Sequence, residues 1–301
     1  MNQSPRDHLS KEHQPESQTN PLELVHEVIE IEGLHPFYQM AYEAAQNGFK
    51  NRINMEEFSN RIDLPKDLKR VREKMFQIKA TCIHGTEQEK MAIVQSDIFE
   101  HMLHTHIGEA EWFGDSVQSV FPSIYDDLFN GVDLILEQNV GRGAFAFSTL
   151  AIDATFSAQG AIQKLERTRD FLAKGNLGGI KYFKSEKADI VGRMDSVPHF
   201  IIGLGRPALF SMVSQYVQKG AVKEVNQEAR RMVLEQIVTQ ANYFSKLLTA
   251  RGFEEKADKY ARIESEMTHL LTGLIQTSGA KIPSDEVYQA ILGYCAKRGV
   301  S

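Results

Sequence analysis

Two apolar runs, each interrupted by a single aspartate, constrain the fold of this chain more than any other feature. The first run begins directly after Gly131 and contains Asp133, and the second covers residues 150–156 and contains Asp153. Both runs have the length and composition of buried β-strands. An aspartate is uncommon in a strand and is costly to bury without a partner. Two such residues on neighbouring strands therefore indicate a shared cation.

The alternation of side chains along a strand determines where the two carboxylates point. If the strands are antiparallel neighbours, Asp133 and Asp153 project toward the same end of one sheet face, and the small side chains of Ala151 and Thr155 leave room for a ligand. Mg²⁺ and Mn²⁺ prefer such carboxylate ligands and keep several waters. A simpler explanation stays open, in which Asp133 pairs with Arg142 or caps a bend.

Helical periodicity surrounds this strand pair on both sides. After a polar tail over residues 1–20, the pattern predicts a helical N-terminal region over 21–85, an α/β core over 86–218 and a helical C-terminal region over 219–301. The N-terminal region is most simply a packing element. The three predicted C-terminal helices carry dense mixed charges, which leave pairing into a homodimer open.

The core contains the remaining predicted strands. Helices are expected over residues 87–113 and 158–173, and two further strands over 180–183 and 197–204. The predicted fold class is α+β, with one small mixed sheet in the order α-β-β-α-β-β and with helices on either side.

Composition excludes several classes of protein. The net charge of −6 does not favour nucleic-acid binding by the molecule as a whole, although local basic patches are compatible with it. The sequence has no apolar run of about 18 residues and no apolar segment at its start, so we expect neither a membrane span nor a secretory signal. Two distant cysteines, Cys82 and Cys295, form no disulfide framework or zinc motif. These features predict a cytoplasmic protein.

The order of elements over about residues 88–205 resembles the PD-(D/E)XK nuclease superfamily. Glu111, near the end of the first core helix, matches the helix glutamate of that superfamily. Asp133 matches the aspartate of its second motif, and Asp153 matches the acidic residue of its third motif. The resemblance implies a restriction-endonuclease-like core and a Mg²⁺- or Mn²⁺-dependent enzyme that hydrolyses phosphodiester bonds. Its partner would be nucleic acid, with DNA favoured over RNA.

The chain departs from that superfamily at one position. The third motif carries a lysine two residues after the acid, where this chain has Thr155. Lys164, on the following helix, is the first candidate for a lysine that has migrated, and Lys181 is the second. The resemblance therefore implies Glu111, Asp133, Asp153 and Lys164 as catalytic residues, of which the three acids would bind the metal. The alternative is a catalytically degenerate protein of the same fold that binds nucleic acid or a protein partner, and a helical scaffold without a metal site is a third possibility.

Two other clusters invite a functional interpretation. The His-x-x-His-x-His pattern at residues 101–106 places two imidazoles on one helical face, where they could bind zinc, but a polar helix face is the simpler explanation. Lys181, Lys184 and Lys187 form a basic patch beside two aromatic residues, which is typical of a nucleic-acid backbone contact or of a protected strand edge.

Overall fold

A computed structural model describes residues 29, 31, 33–139, 147–185, 188–278 and 284–298. Within these residues the helices are α1 (Pro36–Gly48), α2 (Leu64–His84), α3 (Glu87–Gly108), α4 (Ile124–Asn130), α5 (Ala158–Leu172), α6 (Arg206–Lys219), α7 (Gln227–Ala250), α8 (Glu254–Ser278) and α9 (Glu286–Arg298). The strands are β1 (Val117–Val120), β2 (Leu134–Asn139), β3 (Phe147–Thr155), β4 (Gly178–Lys184), β5 (Val191–Val197) and β6 (His199–Gly203). The predicted α+β class with a small mixed sheet is confirmed.

The main sheet has four strands in the order β1-β2-β3-β6. The pairs β1–β2 and β2–β3 are antiparallel, whereas β6 lies parallel to β3. The two aspartate-bearing runs thus meet the condition under which both carboxylates point to one end of a sheet face. Strands β4 and β5 form a separate antiparallel pair. The register pairs Leu134 with Ile152 and Asp153 with Ile201, so the aspartate-bearing end of β3 lies between β2 and β6.

Both faces of the main sheet are buried. Leu134, Leu136 and Ile152 belong to a large hydrophobic cluster that also takes side chains from α1, α3 and α5–α9. Ile135 and Ala151, which alternate with them, belong to a second cluster with residues of α2, α4 and the β4–β5 pair. The larger cluster runs through all three regions that the sequence suggested, so the outer helices share one core with the sheet.

Local signals in the sequence explain why the helices begin where they do. Thr86 and Glu89 form a reciprocal capping box at the start of α3. Ser157 caps α5 by accepting the Gly160 N–H at 3.2 Å. Pro207 occupies the first turn of α6, where the missing N–H costs nothing. Thr86 and Ser157 directly precede the helices predicted over residues 87–113 and 158–173, and Pro207 is the first residue of the helix that periodicity predicts over 207–217.

Two glutamines of α7 cover the exposed edge of β6. The side-chain amide of Gln240 accepts the Ile201 N–H at 2.9 Å and donates to the Ile201 carbonyl at 2.7 Å. Gln236 makes the same pair of bonds with Gly203, at 2.7 and 3.0 Å. Because an unpaired strand edge invites association with other chains, these side chains take the place of a further strand and fix α7 on the sheet.

Several details of the predicted order were wrong. The helix expected over residues 87–113 ends at Gly108, and the chain then turns through Glu111 and Gly114, whose φ angles are 50° and 93°. Strand β1 and helix α4 were missed. The strand expected over 197–204 is β6 preceded by the last residue of β5.

Candidate active site

Asp133 lies between the turn that ends α4 and the first residue of β2. Gly131 ends α4 with a φ of 63°, a conformation that glycine adopts without steric cost. The Asp133 N–H donates to the Ile152 carbonyl at 2.8 Å, and its carboxylate accepts the Ala154 N–H at 2.5 Å. These two bonds hold Asp133 against β3, where the charge of Asp153 acts on it.

Lys164 reaches the same point from α5. Its ammonium forms an ion pair with the Asp153 carboxylate and donates to the Ala154 carbonyl at 2.6 Å. Thr155, at the position where the resemblance leads one to expect lysine, is a buried strand residue whose hydroxyl accepts the Ser157 N–H at 3.4 Å. The structure therefore brings Asp133, Asp153 and Lys164 together.

The second lysine considered, Lys181, belongs to a different environment. Its ammonium forms ion pairs with Asp63, at 2.6 Å, and with Asp67. The Asp67 carboxylate is buried and also accepts the Tyr182 hydroxyl at 2.7 Å. Lys181 thus connects β4 to the start of α2, which is a structural role.

The electrostatics of the site follow from two buried carboxylates beside one lysine. Burial raises the pKa of Asp133 well above its usual range, and the neighbouring charges of Asp153 and Asp127 raise it further. Burial alone would lower the pKa of Lys164, but the charges of Asp153 and Asp133 raise it overall. The lysine therefore stays charged at neutral pH, while Asp133 holds a proton more readily than an exposed aspartate.

A cleft of about 440 Å³ opens beside this group. It lies between the C-terminal end of α4, one face of α5, the start of β4, and residues of β6 and α8. The residues that give the cleft its chemistry are Asp153, Lys164, Arg167, Phe171, His199 and Tyr260. Acids, cations and aromatic rings thus meet in one concave surface, which is typical of a ligand-binding site.

A second acidic group lies around a cavity of about 320 Å³ between α1, α2, α3 and α4. Arg52 forms ion pairs there with Asp127 and, at 3.6 Å, with Glu100. Asp97 accepts the Gln46 amide at 2.9 Å. Burial raises the pKa of Asp97 to about 7, despite the charge of Arg52, and raises the pKa of Glu100 well above its usual range.

The two acidic groups are electrostatically linked through Glu100. The charge of Asp133 contributes to the raised pKa of Glu100, and the charge of Glu100 contributes to the raised pKa of Lys164. Asp127 acts on Asp133 in the same way. Glu100 is thus the glutamate of α3 that interacts electrostatically with Asp133 and with Lys164.

Glu111 does not occupy the position that the resemblance implied. It lies beyond the end of α3, its side chain is 46% exposed, and it forms an ion pair with Lys223 at 3.3 Å. The assignment of Glu111 to the first core helix is therefore wrong. Sequence reasoning missed Glu100, because Glu100 lies off the apolar stripe of α3 and its burial depends on Arg52, which is distant in sequence.

The carboxylates also bear on the expected metal. In the described part of the chain, no group of three or more His, Cys, Asp or Glu side chains is arranged to hold a metal ion. The pair of Asp133 and Asp153 nevertheless fits Mg²⁺, because this ion often binds proteins through one or two carboxylates and takes its other ligands from water and substrate phosphates. The repulsion that raises the pKa of Asp133 is the interaction that such a cation would relieve.

The histidine pattern on α3 is a packing feature. His106 contacts the Met102 carbonyl at 2.8 Å and the Asn226 amide at 2.8 Å, and His104 contacts the Ser119 hydroxyl at 2.8 Å. Burial lowers the pKa of all three histidines to about 4. These rings are neutral at pH 7 and pack against aromatic side chains. The expected polar helix face is therefore wrong, because His101 and His106 are buried.

The basic patch is also engaged in part within the chain. Lys184 forms an ion pair with Glu57, in addition to the pairs of Lys181 described above. Lys187, and Arg142 as a partner of Asp133, lie outside the described residues.

His199 was not identified from the sequence. It begins β6, directly beside Ala151 of β3, and its ring lines the cleft. Its buried Nε2 has no hydrogen-bond partner among the described residues. Burial lowers the pKa of His199, although the charge of Asp153 opposes the shift. A single histidine inside an apolar run does not indicate a functional site. Its place in the cleft depends on the parallel pairing of β6 with β3, which has no local pattern in the sequence.

No family model matches this chain, and no curated protein or solved structure matches it either. Within the residues described, none of the helices has the length and apolar character needed to cross a membrane.

Proposed function

We propose that this protein is a Mg²⁺-dependent phosphodiester hydrolase that acts on nucleic acid through Asp133, Asp153 and Lys164. The observation that carries the proposal is the ion pair between Asp153 of β3 and Lys164 of α5, directly beside Asp133. Lys164, on the helix that follows β3, supplies the positive charge that Thr155 cannot supply at the position of the motif lysine. The succession of α3, three antiparallel strands, α5 and a parallel β6 also supports a nuclease-like core.

The proposed residues have distinct chemical roles. Asp133 and Asp153 would hold Mg²⁺, with Glu100 rather than Glu111 acting on them from α3. When bound, a divalent cation polarises a phosphoryl oxygen and supplies a nucleophilic water. The Lys164 ammonium carries three donors, of which two serve Asp153 and Ala154. The third can donate to the attacking water or to a phosphate oxygen, where it stabilises the charge that develops during the reaction.

A second candidate is a catalytically degenerate protein of the same fold that binds nucleic acid or a protein partner. Two observations favour it: Thr155 replaces the motif lysine, and Lys164 already neutralises Asp153. A cytoplasmic location and a homodimer through the C-terminal helices stay predictions of the sequence.

The test compares cleavage of labelled single-stranded, duplex and branched oligonucleotides by wild type and by Asp153→Asn, with Mg²⁺ or Mn²⁺. Asp153→Asn is expected to abolish cleavage and to leave the circular dichroism spectrum unchanged. Asp258→Asn changes an exposed aspartate of α8, and it controls for the loss of one negative charge. Cleavage that persists in Asp153→Asn refutes the assignment, and the absence of cleavage in wild type favours the degenerate protein.

A further inference from the structure

One face of α5 extends the candidate active site along the cleft. Lys164, Arg167, Thr168 and Phe171 all line the cleft. Their spacing of three, four and seven residues places them on one side of the helix. Because a helix rises 1.5 Å per residue, Phe171 lies about 10 Å along the axis from Lys164. The stripe therefore begins at Asp153 and leads away from it.

Arg167 is a cation of α5 that the fold does not use. Arg169 is paired with Asp170, and Glu166 with Arg298. Arg167 has no ion-pair partner within the described residues, and its side chain is exposed at the cleft. Its charge contributes to the lowered pKa of His199, which lines the same cleft. A free guanidinium there is suited to a phosphate group, which it can bind through two parallel hydrogen bonds.

Phe171 presents an aromatic face to solvent beside that cation. It is 47% exposed, whereas Leu165 and Leu172 of the same helix are buried. An exposed phenyl ring next to an arginine in a cleft is the combination on which proteins stack the bases of single-stranded nucleic acids. A base within a duplex cannot stack there, because its faces are covered by the neighbouring base pairs.

We infer that the Arg167–Phe171 face of α5 is the binding subsite for the nucleotide next to the scissile phosphate, and that the substrate is single-stranded at that point. Arg167 binds the adjacent backbone phosphate and Phe171 stacks on the unpaired base. The inference rests on the proposed function, since it takes Asp153 and Lys164 as the position of the scissile phosphate. DNA and RNA share this chemistry, so the experiment includes both.

The experiment measures fluorescence anisotropy of the full chain with labelled 12-nucleotide single strands of DNA and RNA and with a hairpin duplex, in EDTA to prevent cleavage. The single strands are expected to bind more tightly than the duplex, and the tighter of the two identifies the preferred sugar. Phe171→Ala should weaken single-strand binding roughly 5- to 100-fold, the range for loss of one stacked base. Phe76→Ala is the matched control, because Phe76 is exposed on α2 and is not among the residues of the cleft.

Arg167 is tested through the salt dependence of binding. Arg167→Gln should reduce the slope of log K against log salt by about one, as expected for the loss of one phosphate contact. Arg72→Gln, on the exposed surface of α2, should leave the slope unchanged. Equal or tighter duplex binding, or a Phe171→Ala variant that binds single strands as well as wild type does, overturns the inference.

A parallel cleavage assay with Mg²⁺ separates the two proposals. Single-strand binding that depends on Phe171, without any cleavage, supports the subsite and counts against the hydrolase. Cleavage of single strands and duplex at equal rates, unaffected by Phe171→Ala, supports the hydrolase and overturns the subsite. Failure to bind any of the three probes overturns the subsite as well.

Discussion

The two acidic groups of the molecule use similar ion pairs in different surroundings. In the cavity group, Arg52 is 9% exposed, pairs with Asp127 and Glu100, and lies over the Phe49 ring at 4.3 Å. In the cleft group, Lys164 is 24% exposed and its partner Asp153 lines an open cleft. The comparison teaches that an ion pair alone does not mark a site. Its greater exposure, beside an open cleft, distinguishes Lys164 from Arg52.

The groups also differ in charge balance. Three acids (Asp97, Glu100 and Asp127) surround one arginine in the cavity, whereas two acids share one lysine at the cleft. Burial raises the pKa values of Asp97 and Glu100, and the charges of the neighbouring carboxylates raise them further. The cavity group therefore holds protons more readily than exposed carboxylates do.

The largest effect is expected on protein stability, when the buried Arg52 is replaced. Arg52→Met leaves Asp127 and Glu100 buried without their partner and should lower the free energy of unfolding by roughly 3–5 kcal/mol. Urea denaturation measures this change. Arg193→Met removes an exposed pair with Asp195 and should cost less than about 1 kcal/mol. A small effect of Arg52→Met, comparable to that of Arg193→Met, would show that the cavity group is not structural.

The next largest effect is expected on catalysis, when Lys164 in the cleft is replaced by methionine. Lys164→Met should lower kcat roughly 10²- to 10³-fold, because it removes a charge that stabilises the transition state. Lys184→Met, in an exposed pair with Glu57, is the control. Mn²⁺ affinity should be kept or increased in Lys164→Met, because the positive charge beside Asp153 is gone. Undiminished kcat in this variant would exclude Lys164 from the reaction.

A smaller effect, on metal affinity and cleavage, tests whether Glu100 or Glu111 supports Asp133 and Asp153. Glu100→Gln should reduce metal affinity or cleavage roughly 10- to 100-fold, as expected for a residue that supports the metal ligands without binding the metal itself. Its electrostatic interactions with Asp133 and Lys164 would be lost. Glu111→Gln removes only an exposed ion pair and should change cleavage less than about twofold. Steady-state cleavage rates at several Mg²⁺ concentrations distinguish the two variants. The reverse order of effects would restore Glu111 as the functional residue.

The smallest effect is a pH dependence of stability. Burial raises the pKa of Asp97 to about 7, so between about pH 4 and 7 the folded state keeps a proton that the unfolded state has lost. Stability from this group is present below about pH 4 and is lost as the pH rises to 7. Asp97→Asn should therefore be more stable than wild type at pH 8, with little advantage at pH 4. Thermal unfolding at the two pH values measures the difference, and an equal effect at both would contradict it.

Much of the fold could be predicted because its signals are local. Periodicity identified α5 at residues 158–173, against the observed Ala158–Leu172, and it also identified α6 and the three C-terminal helices. Helix α4 was taken for a turn, since its Asp and Asn residues are typical of turns as well. It is held by Asp126, which accepts the N–H groups of Lys181 and Tyr182 from β4 at 2.7 and 3.0 Å. That contact is distant in sequence and left no local pattern.

The candidate site, like the fold, could be predicted only where its signals are local in the sequence. Asp133 and Asp153 stood out because each interrupts an apolar run, and Lys164 followed from its position on the next helix. Glu100 and His199 did not stand out, because their placement depends on how α3 and β6 pack against the sheet. Glu111 was expected on the first core helix, but α3 ends at Gly108, and Glu111, with a φ of 50°, forms an ion pair with Lys223 instead.

The most direct test of the central claim is a calorimetric titration of wild type and Asp153→Asn with Mn²⁺, since it requires no choice of substrate. We expect one Mn²⁺ per chain in wild type and at least a tenfold loss of affinity in Asp153→Asn, because the variant removes one of the two ligating carboxylates. Equal Mn²⁺ affinity in the two proteins would contradict the account, because the paired aspartates could not then be the metal site.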